Sequence, residues 1–161
     1  MENLQLLHNK IVSVDEAIHR VATWNAHNEK IVFTNGCFDI IHKGHVFFLA
    51  KAGDLGSKLI VGVNSDASVA RLKGEGRPVK EIESRLYTLA AFSSVDLLVV
   101  FEEDTPYNII AQLIPDMLVK GKDYDVSEIV GADIVIKNGG AVETIDIEDG
   151  FSSTKYINKI L

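Results

Sequence analysis

Lys30-Ile31-Val32-Phe33-Thr34-Asn35-Gly36-Cys37-Phe38-Asp39-Ile40-Ile41-His42-Lys43-Gly44-His45-Val46-Phe47-Phe48-Leu49-Ala50 runs from an apolar strand, through a turn, into an apolar helical face. Lys30 to Asn35 reads as the strand and Gly36 to Ile41 as the turn. Val46 to Ala50 begins the helical face. His42-Lys43-Gly44-His45 therefore sits at a helix N-terminus. Unpaired backbone N–H groups point outward there, and the helix dipole favours negative charge. Gly44 has no side chain, so a bulky anion can approach the backbone closely. Two imidazoles in this frame point to chemistry at phosphorus, most simply that of a nucleotide.

Outward from this turn the chain alternates strand and helix. Ser13 to Trp24 reads as an amphipathic helix, with Ser13 as N-cap and Glu16 completing a capping box. Further strands are predicted at Lys58–Val63, Val95–Phe101, Asp116–Lys120 and Ala141–Ile147. Helices fit Ser65–Leu72, Glu81–Phe92, Thr105–Ile114, the stretch around Ser127–Lys137, and Ser153–Leu161. Near-continuous apolar strands separated by helices predict an α/β fold: a doubly wound, Rossmann-like parallel sheet of five strands with helices on both faces. Residues 1–29 form a helical extension packed on a main domain spanning 30–161. Right-handed crossovers place every strand C-terminus on one edge, where a ligand crevice opens.

Composition narrows the classes. A chain of 161 residues, 47% of them hydrophobic, fits one domain with a substantial core. No stretch reaches the roughly 20 apolar residues that span a bilayer, so no membrane association is expected. Met1-Glu2-Asn3-Leu4-Gln5 lacks a secretion-signal pattern, and a single cysteine forms no internal disulfide, which fits the cytoplasm. A net charge of −7 argues against general nucleic-acid binding. Positive charge for a polyanion must therefore be gathered locally.

Three further segments supply candidates. Gly150-Phe151-Ser152-Ser153-Thr154-Lys155 follows the last strand and opens the last helix, where hydroxyls cap N–H groups or meet a phosphate. In a parallel sheet this start shares an edge with the His42 turn, so the two can converge on one ligand. Arg71, Lys73 and Arg77 lie on a glycine-bearing loop suited to clamping a second anion. Lys120-Gly121-Lys122-Asp123-Tyr124 follows the fourth strand and adds cations with a group able to read a base or ribose.

Other chemistries fit less well. Structural zinc wants four ligands, mostly Cys and His, whereas Cys37 and Asp39 are the only other candidates near the histidine pair. No metal ligands are therefore assigned. Cys37 as a nucleophile activated by histidine competes with a plain small residue in an apolar turn. Neither a G-x-G-x-x-G turn nor a P-loop lysine motif occurs. His8, His19 and His27 read as ordinary surface or core residues.

Asn35 to His45 resembles the signature of the HxGH nucleotidyltransferases related to cytidylyltransferases, and Gly150 to Thr154 resembles their second signature. Leu59 to Val69, Leu72-Lys73-Gly74 with Arg77-Pro78, Glu103-Asp104-Thr105-Pro106 and Leu118 to Tyr124 are similar to the heptose 1-phosphate adenylyltransferase branch. The resemblance runs from Ile31 to Leu161 and makes 30–161 a nucleotidyltransferase domain. It implies AMP transfer from ATP to D-glycero-β-D-manno-heptose 1-phosphate, giving ADP-heptose and pyrophosphate for lipopolysaccharide or another surface glycan. His42, His45 and Lys73 would be catalytic. Asn35, Gly36, Cys37, Phe38, Gly44, Lys120, Gly121, Asp123, Ser152, Ser153 and Thr154 would bind the nucleotide, and Arg71, Lys73 and Arg77 the sugar phosphate. Mg²⁺ would be held mainly through ATP phosphates. The chain has no room for a sugar kinase, so a separate kinase is expected, and a homodimer is an analogy from the fold. One departure is Ile147, where related glycerol-phosphate enzymes carry an arginine; Lys120, Lys122 or Lys155 would have to replace it. Cytidylyl transfer to a polyol or amino-alcohol phosphate, and a non-catalytic nucleotide-binding module, are the alternatives.

Overall fold

The computed structural model describes residues 2–147 and 152–161. The strands are Ile11–Val12 (β1), Ile31–Gly36 (β2), Lys58–Asn64 (β3), Leu97–Phe101 (β4), Met117–Gly121 (β5) and Ala141–Ile145 (β6). All pairings are parallel, and the order across the sheet is β1-β4-β3-β2-β5-β6. The helices are Asn3–His8 (α1), Val14–Ala26 (α2), Lys43–Gly53 (α3), Asp66–Lys73 (α4), Ile82–Ala90 (α5), Tyr107–Leu113 (α6), Ala132–Lys137 (α7) and Ser153–Ile160 (α8). This is the Rossmann-like architecture the alternation predicts.

The strands are apolar on both faces because both faces are covered. Val32, Leu59, Val61, Leu98 and Val119 point to one layer, against Leu49 and Ala52 of α3 and Leu86, Leu89 and Ala90 of α5. Their neighbours Ile31, Phe33, Ile60, Leu97, Val99 and Leu118 point the other way. They meet Ala17 and Val21 of α2, Ile109, Ile110 and Leu113 of α6, and Val135 of α7. Alternation of side chains along a strand divides one continuous apolar run between two cores.

Several expectations are corrected. The sheet has six strands rather than five, because Ile11 and Val12 pair with Leu98 and Val99. Two residues carry no readable periodicity, and the leading segment is therefore more than helical. It is also pinned by Lys10, whose Nζ donates to Ala90 O at 2.9 Å and Phe92 O at 3.0 Å, at the C-terminal end of α5. At α2 only half of the capping box forms: Ser13 Oγ accepts from Glu16 N at 3.2 Å, while the Glu16 carboxylate accepts from Arg20 Nε at 3.0 Å. The single helix expected around Ser127–Lys137 is a 3₁₀ turn, Val126–Glu128, followed by α7. Gly131, at φ 88°, breaks the two apart. Among the described residues, no helix is long and apolar enough to cross a membrane.

Candidate active site

β3 and β4 lie on one side of β2, and β5 and β6 lie on the other. Strand order thus reverses between β2 and β5, where a crevice forms above the strand C-termini. A cleft of about 600 Å³ opens there. The end of β2 contributes Asn35 and Gly36, the turn contributes Cys37 and Phe38, and the start of α3 contributes His42, Gly44 and His45. Lys73 lines it from the last residue of α4 and Arg77 from the loop that follows, Lys120 and Gly121 from β5, and Ser152, Ser153 and Thr154 from the start of α8. Phe38 has φ 49°, and its ring lies so close to Gly36 that a Cβ there would meet it at 2.9 Å. The turn therefore needs a glycine under the ring.

α3 starts three residues before its apolar face, because the imidazoles cap it themselves. Gly44 N donates to His42 Nδ1 at 3.1 Å, and His42 N donates to His45 Nδ1 at 3.3 Å. This is a reciprocal capping box built from two histidines. A backbone N–H only donates, so both Nδ1 atoms are acceptors, and in each neutral ring the proton sits on Nε2. The rings stack with centroids 3.8 Å apart. Burial pushes the His45 imidazolium down to about 4, with the neighbouring His42 adding to the effect, and burial also lowers His42. At neutral pH the free protein thus presents neutral imidazoles as N–H donors.

One pH prediction arises here. The unfolded chain protonates a histidine near ~6.5, whereas the folded protein holds His45 neutral down to about 4. Acid therefore favours the unfolded chain, and stability should fall as pH drops through that window. His45→Gln removes this share of the fall. Urea midpoints for both proteins between pH 7 and 4 measure it, and parallel curves would count against the assignment.

The closing segment meets this turn directly. Ser153 Oγ donates to Ile40 O at 2.8 Å, and Tyr156 stacks on His42 with ring centroids 5.6 Å apart. Ser152 Oγ caps α8, accepting from Lys155 N at 3.1 Å. The paired imidazoles and the Ser/Thr helix start, more than 100 residues apart in sequence, thus share one wall of the cleft. Gly150 and Phe151 of the second signature lie outside the described residues.

The cations divide. Lys120 Nζ spans the crevice from β5 to β2, donating to Asn35 Oδ1 at 3.0 Å and Asn35 O at 3.3 Å. Burial pushes its ammonium down to about 8, partly opposed by Asp123 and Cys37. Lys122 turns outward to Asp146 at 3.0 Å, with both side chains well exposed. Arg71 does not line the cleft; its Nε donates to Asp104 at 2.7 Å and its Nη2 to Glu102 O. Asp123 is exposed and also stands outside the lining, whereas Tyr124 lies within it. Burial pushes the Cys37 thiol up, outweighing Lys73, Arg85 and Arg77, so it is not poised as a thiolate nucleophile.

Two residues shape the site in ways the sequence does not show: Asp39, which reads there only as a possible metal ligand, and Arg85. Asp39 and Arg85 are both buried. Arg85 donates to Cys37 O at 2.7 Å, Asn64 O at 2.8 Å, Lys80 O at 3.0 Å and Asp66 Oδ1 at 2.7 Å. A signal for it exists: Ile82, Arg85, Leu86 and Leu89 share the apolar stripe of α5, and a charge on such a stripe must find partners.

Comparison with known proteins places this arrangement. The profile of the cytidylyltransferase-like family matches residues 33–159, from β2 into α8. The chain belongs to the cytidylyltransferase-like family. It is 50% identical over 151 residues to the bifunctional protein HldE of Shewanella amazonensis, an alignment covering 94% of this chain and 32% of that protein. The bifunctional protein HldE of Coxiella burnetii is 48% identical over 154 residues, covering 96% and 32%. The chain thus spans about a third of the length of the curated relatives it matches. A lipopolysaccharide core biosynthesis protein from Thermoplasma volcanium superposes with a TM-score of 0.61 at 30% identity, over 74% of this chain and 97% of that one. Pantoate-beta-alanine ligase from Francisella tularensis reaches a TM-score of 0.63 at 14% identity, over 94% and 72%, a likeness of fold alone.

Proposed function

We propose that this protein transfers AMP from ATP to D-glycero-β-D-manno-heptose 1-phosphate, releasing pyrophosphate and forming ADP-heptose for a surface glycan. The observation that carries the reading is the meeting of His42, His45 and the Ser152–Thr154 helix start around one cleft, which Lys73 and Arg77 also line. Family membership and the identity to HldE support it.

The reaction asks little of a base. A sugar phosphate is already anionic, so its oxygen attacks the α-phosphorus directly; the bond from that phosphorus to the bridging oxygen breaks, and its electrons leave with pyrophosphate. Catalysis becomes alignment of two anions and stabilisation of charge that builds on α-phosphoryl and leaving oxygens. The Nε2–H groups of His42 and His45 donate to those oxygens. Gly44 and the α3 N-terminus bring backbone N–H groups close. Lys120, desolvated between β2 and β5, gains a phosphate counter-charge when the nucleotide arrives. Asn35, Gly36, Cys37, Phe38 and Gly121 form the floor, and Asp123 stands at its outer edge toward the ribose. Lys73 and Arg77 hold the heptose phosphate, while Arg71 contributes through its tie to Asp104.

Mg²⁺ suits the triphosphate rather than the protein. Among the described residues no three His, Cys, Asp or Glu side chains form a metal-holding group, and the Asp39 carboxylate is saturated by donors. When bound with the triphosphate, Mg²⁺ would supply charge shielding, and the residues here would hold it only indirectly, through the nucleotide. The heptose 1-phosphate itself must come from a sugar kinase reaction.

The test is pyrophosphate release with heptose 1-phosphate and each nucleoside triphosphate in turn. Turnover with ATP is expected. Preference for CTP with a polyol phosphate would select the cytidylyl reading, and nucleotide binding without any turnover would select a non-catalytic module.

A further inference from the structure

Asp39 has no part in the chemistry above, yet it is the only buried carboxylate among the described residues. Its oxygens accept from Arg77 Nε at 2.7 Å, Val79 N at 2.9 and 3.0 Å, and Lys80 N at 2.9 Å. Burial alone would raise this carboxyl, but the two amides and the guanidinium outweigh it and hold it below the usual range. Every donor belongs to the loop that joins α4 to α5.

At its start the loop is held only locally, Gly74 N donating to Ala70 O at 3.0 Å and Arg77 N to Gly74 O at 3.3 Å. Gly74 and Gly76 sit at φ 91° and 78°, and no atom lies within 4 Å of where a Cβ on either would be. Its far end is held twice to the turn after β2: by Asp39, and by Arg85, which bridges Lys80 O and Cys37 O. Arg77 and Lys73, which line the cleft together with Lys120 of β5, flank the open glycine segment. The Arg77 side chain is only 11% exposed. With Nε committed to Asp39, its terminal nitrogens remain for an anion.

We infer that Asp39 is a positioning residue: it latches residues 77–80 onto the imidazole-bearing turn, and so sets the second, anionic substrate's site at a fixed distance from the nucleotide's. The inference rests on the proposed reading of the cleft. A shared turn carrying both the latch and the imidazoles means that the two substrates are aligned by one rigid piece of backbone.

Asp39→Asn tests this by kinetics and amide exchange together. The KM for heptose 1-phosphate should rise about tenfold, the scale of a lost charge-assisted bond, with the KM for ATP and kcat changing less than about twofold. Exchange at the Val79 and Lys80 amides should accelerate. Added to Arg77→Ala, the substitution should cost nothing further, because it acts through that residue. Equal loss for both substrates, full additivity with Arg77→Ala, or unchanged exchange overturns the inference. If Asp39→Asn does not fold, Arg77→Lys keeps the charge and the two amide bonds but loses the guanidinium fork; it should show the same KM split, and an unchanged KM overturns the inference. A wild-type enzyme that rejects this sugar sinks the functional reading alone, and the latch is then decided by amide exchange in Asp39→Asn.

Discussion

His45→Gln is expected to lower turnover about 10²–10³-fold, the scale of losing one donor to developing charge, while leaving the melting temperature at neutral pH nearly unchanged. The pairing of these outcomes follows from the two jobs of the ring. Its Nδ1 accepts from His42 N and completes the cap of α3, and a glutamine oxygen at that position of a capping box does the same. Its Nε2–H is the group offered to the phosphates, and the shorter amide does not reproduce that donor at the same place. The substitution therefore separates cap from catalyst, where His45→Ala would confuse them by removing both. Initial rates of pyrophosphate release beside a thermal melt give the comparison. Activity within about tenfold of wild type would remove His45 from the transition state.

What could be read from the residues, and what could not, divides along physical lines. The β2–α3 turn was legible because a strand, a glycine and a paired imidazole motif fall at fixed spacing, and convergence with Ser152–Thr154 follows from parallel topology alone. Ser65 caps α4 as its position at the helix start suggests, accepting from Ser68 N at 3.1 Å. The helix N-terminus at His42 to His45 is legible too, but its cap is not, because histidine is not among the usual capping residues; only the geometry shows an imidazole doing that work. β1 carries no signal in the sequence because two residues have no period; it pairs with β4 beside Lys10, which ties the same segment to the end of α5.

The cations show a different limit. Lys73, Arg77, Lys120 and Arg71 have equal standing in the sequence, each a basic residue beside a glycine-rich or strand-end segment. Only the fold distinguishes them. Arg71, although next to the cleft-lining Leu72 and Lys73, does not line the cleft and meets Asp104, a partner 33 positions away. Lys120 instead sits where strand order reverses, donating to Asn35 oxygens with its Nζ over the Tyr124 ring. Local composition identifies a charge, but which side of a helix or strand it occupies relative to the crevice is a tertiary fact. Asp39 illustrates the same point in reverse: set beside Phe38, Ile40 and Ile41, it reads as a possible metal ligand, and its donors lie about 40 residues downstream.

Arg85→Met should be the most destabilising single change considered, by roughly 3–5 kcal/mol, the range for breaking a buried charged network. The side chain is 0% exposed, and its four bonds join three separate places: the turn after β2 through Cys37 O, the end of β3 through Asn64 O with Asp66 beside it, and the latched loop through Lys80 O. Methionine fills much of the volume but offers no donor, so three backbone carbonyls lose their partner. Each buried polar group left unpaired costs about 1–3 kcal/mol. Asp66 recovers most of its loss, since its side chain is 44% exposed to water. For a chain of this size roughly 3 kcal/mol lowers the melting temperature by about 6–12 °C. Arg85→Lys should rescue little, because one ammonium cannot span acceptors that the planar fork serves in three directions. Thermal melts and urea midpoints of the two variants provide the test. A shift under about 2 °C for Arg85→Met would mean that water or neighbouring groups replace those bonds, and that the turn, the strand end and the loop are held together by something other than this guanidinium.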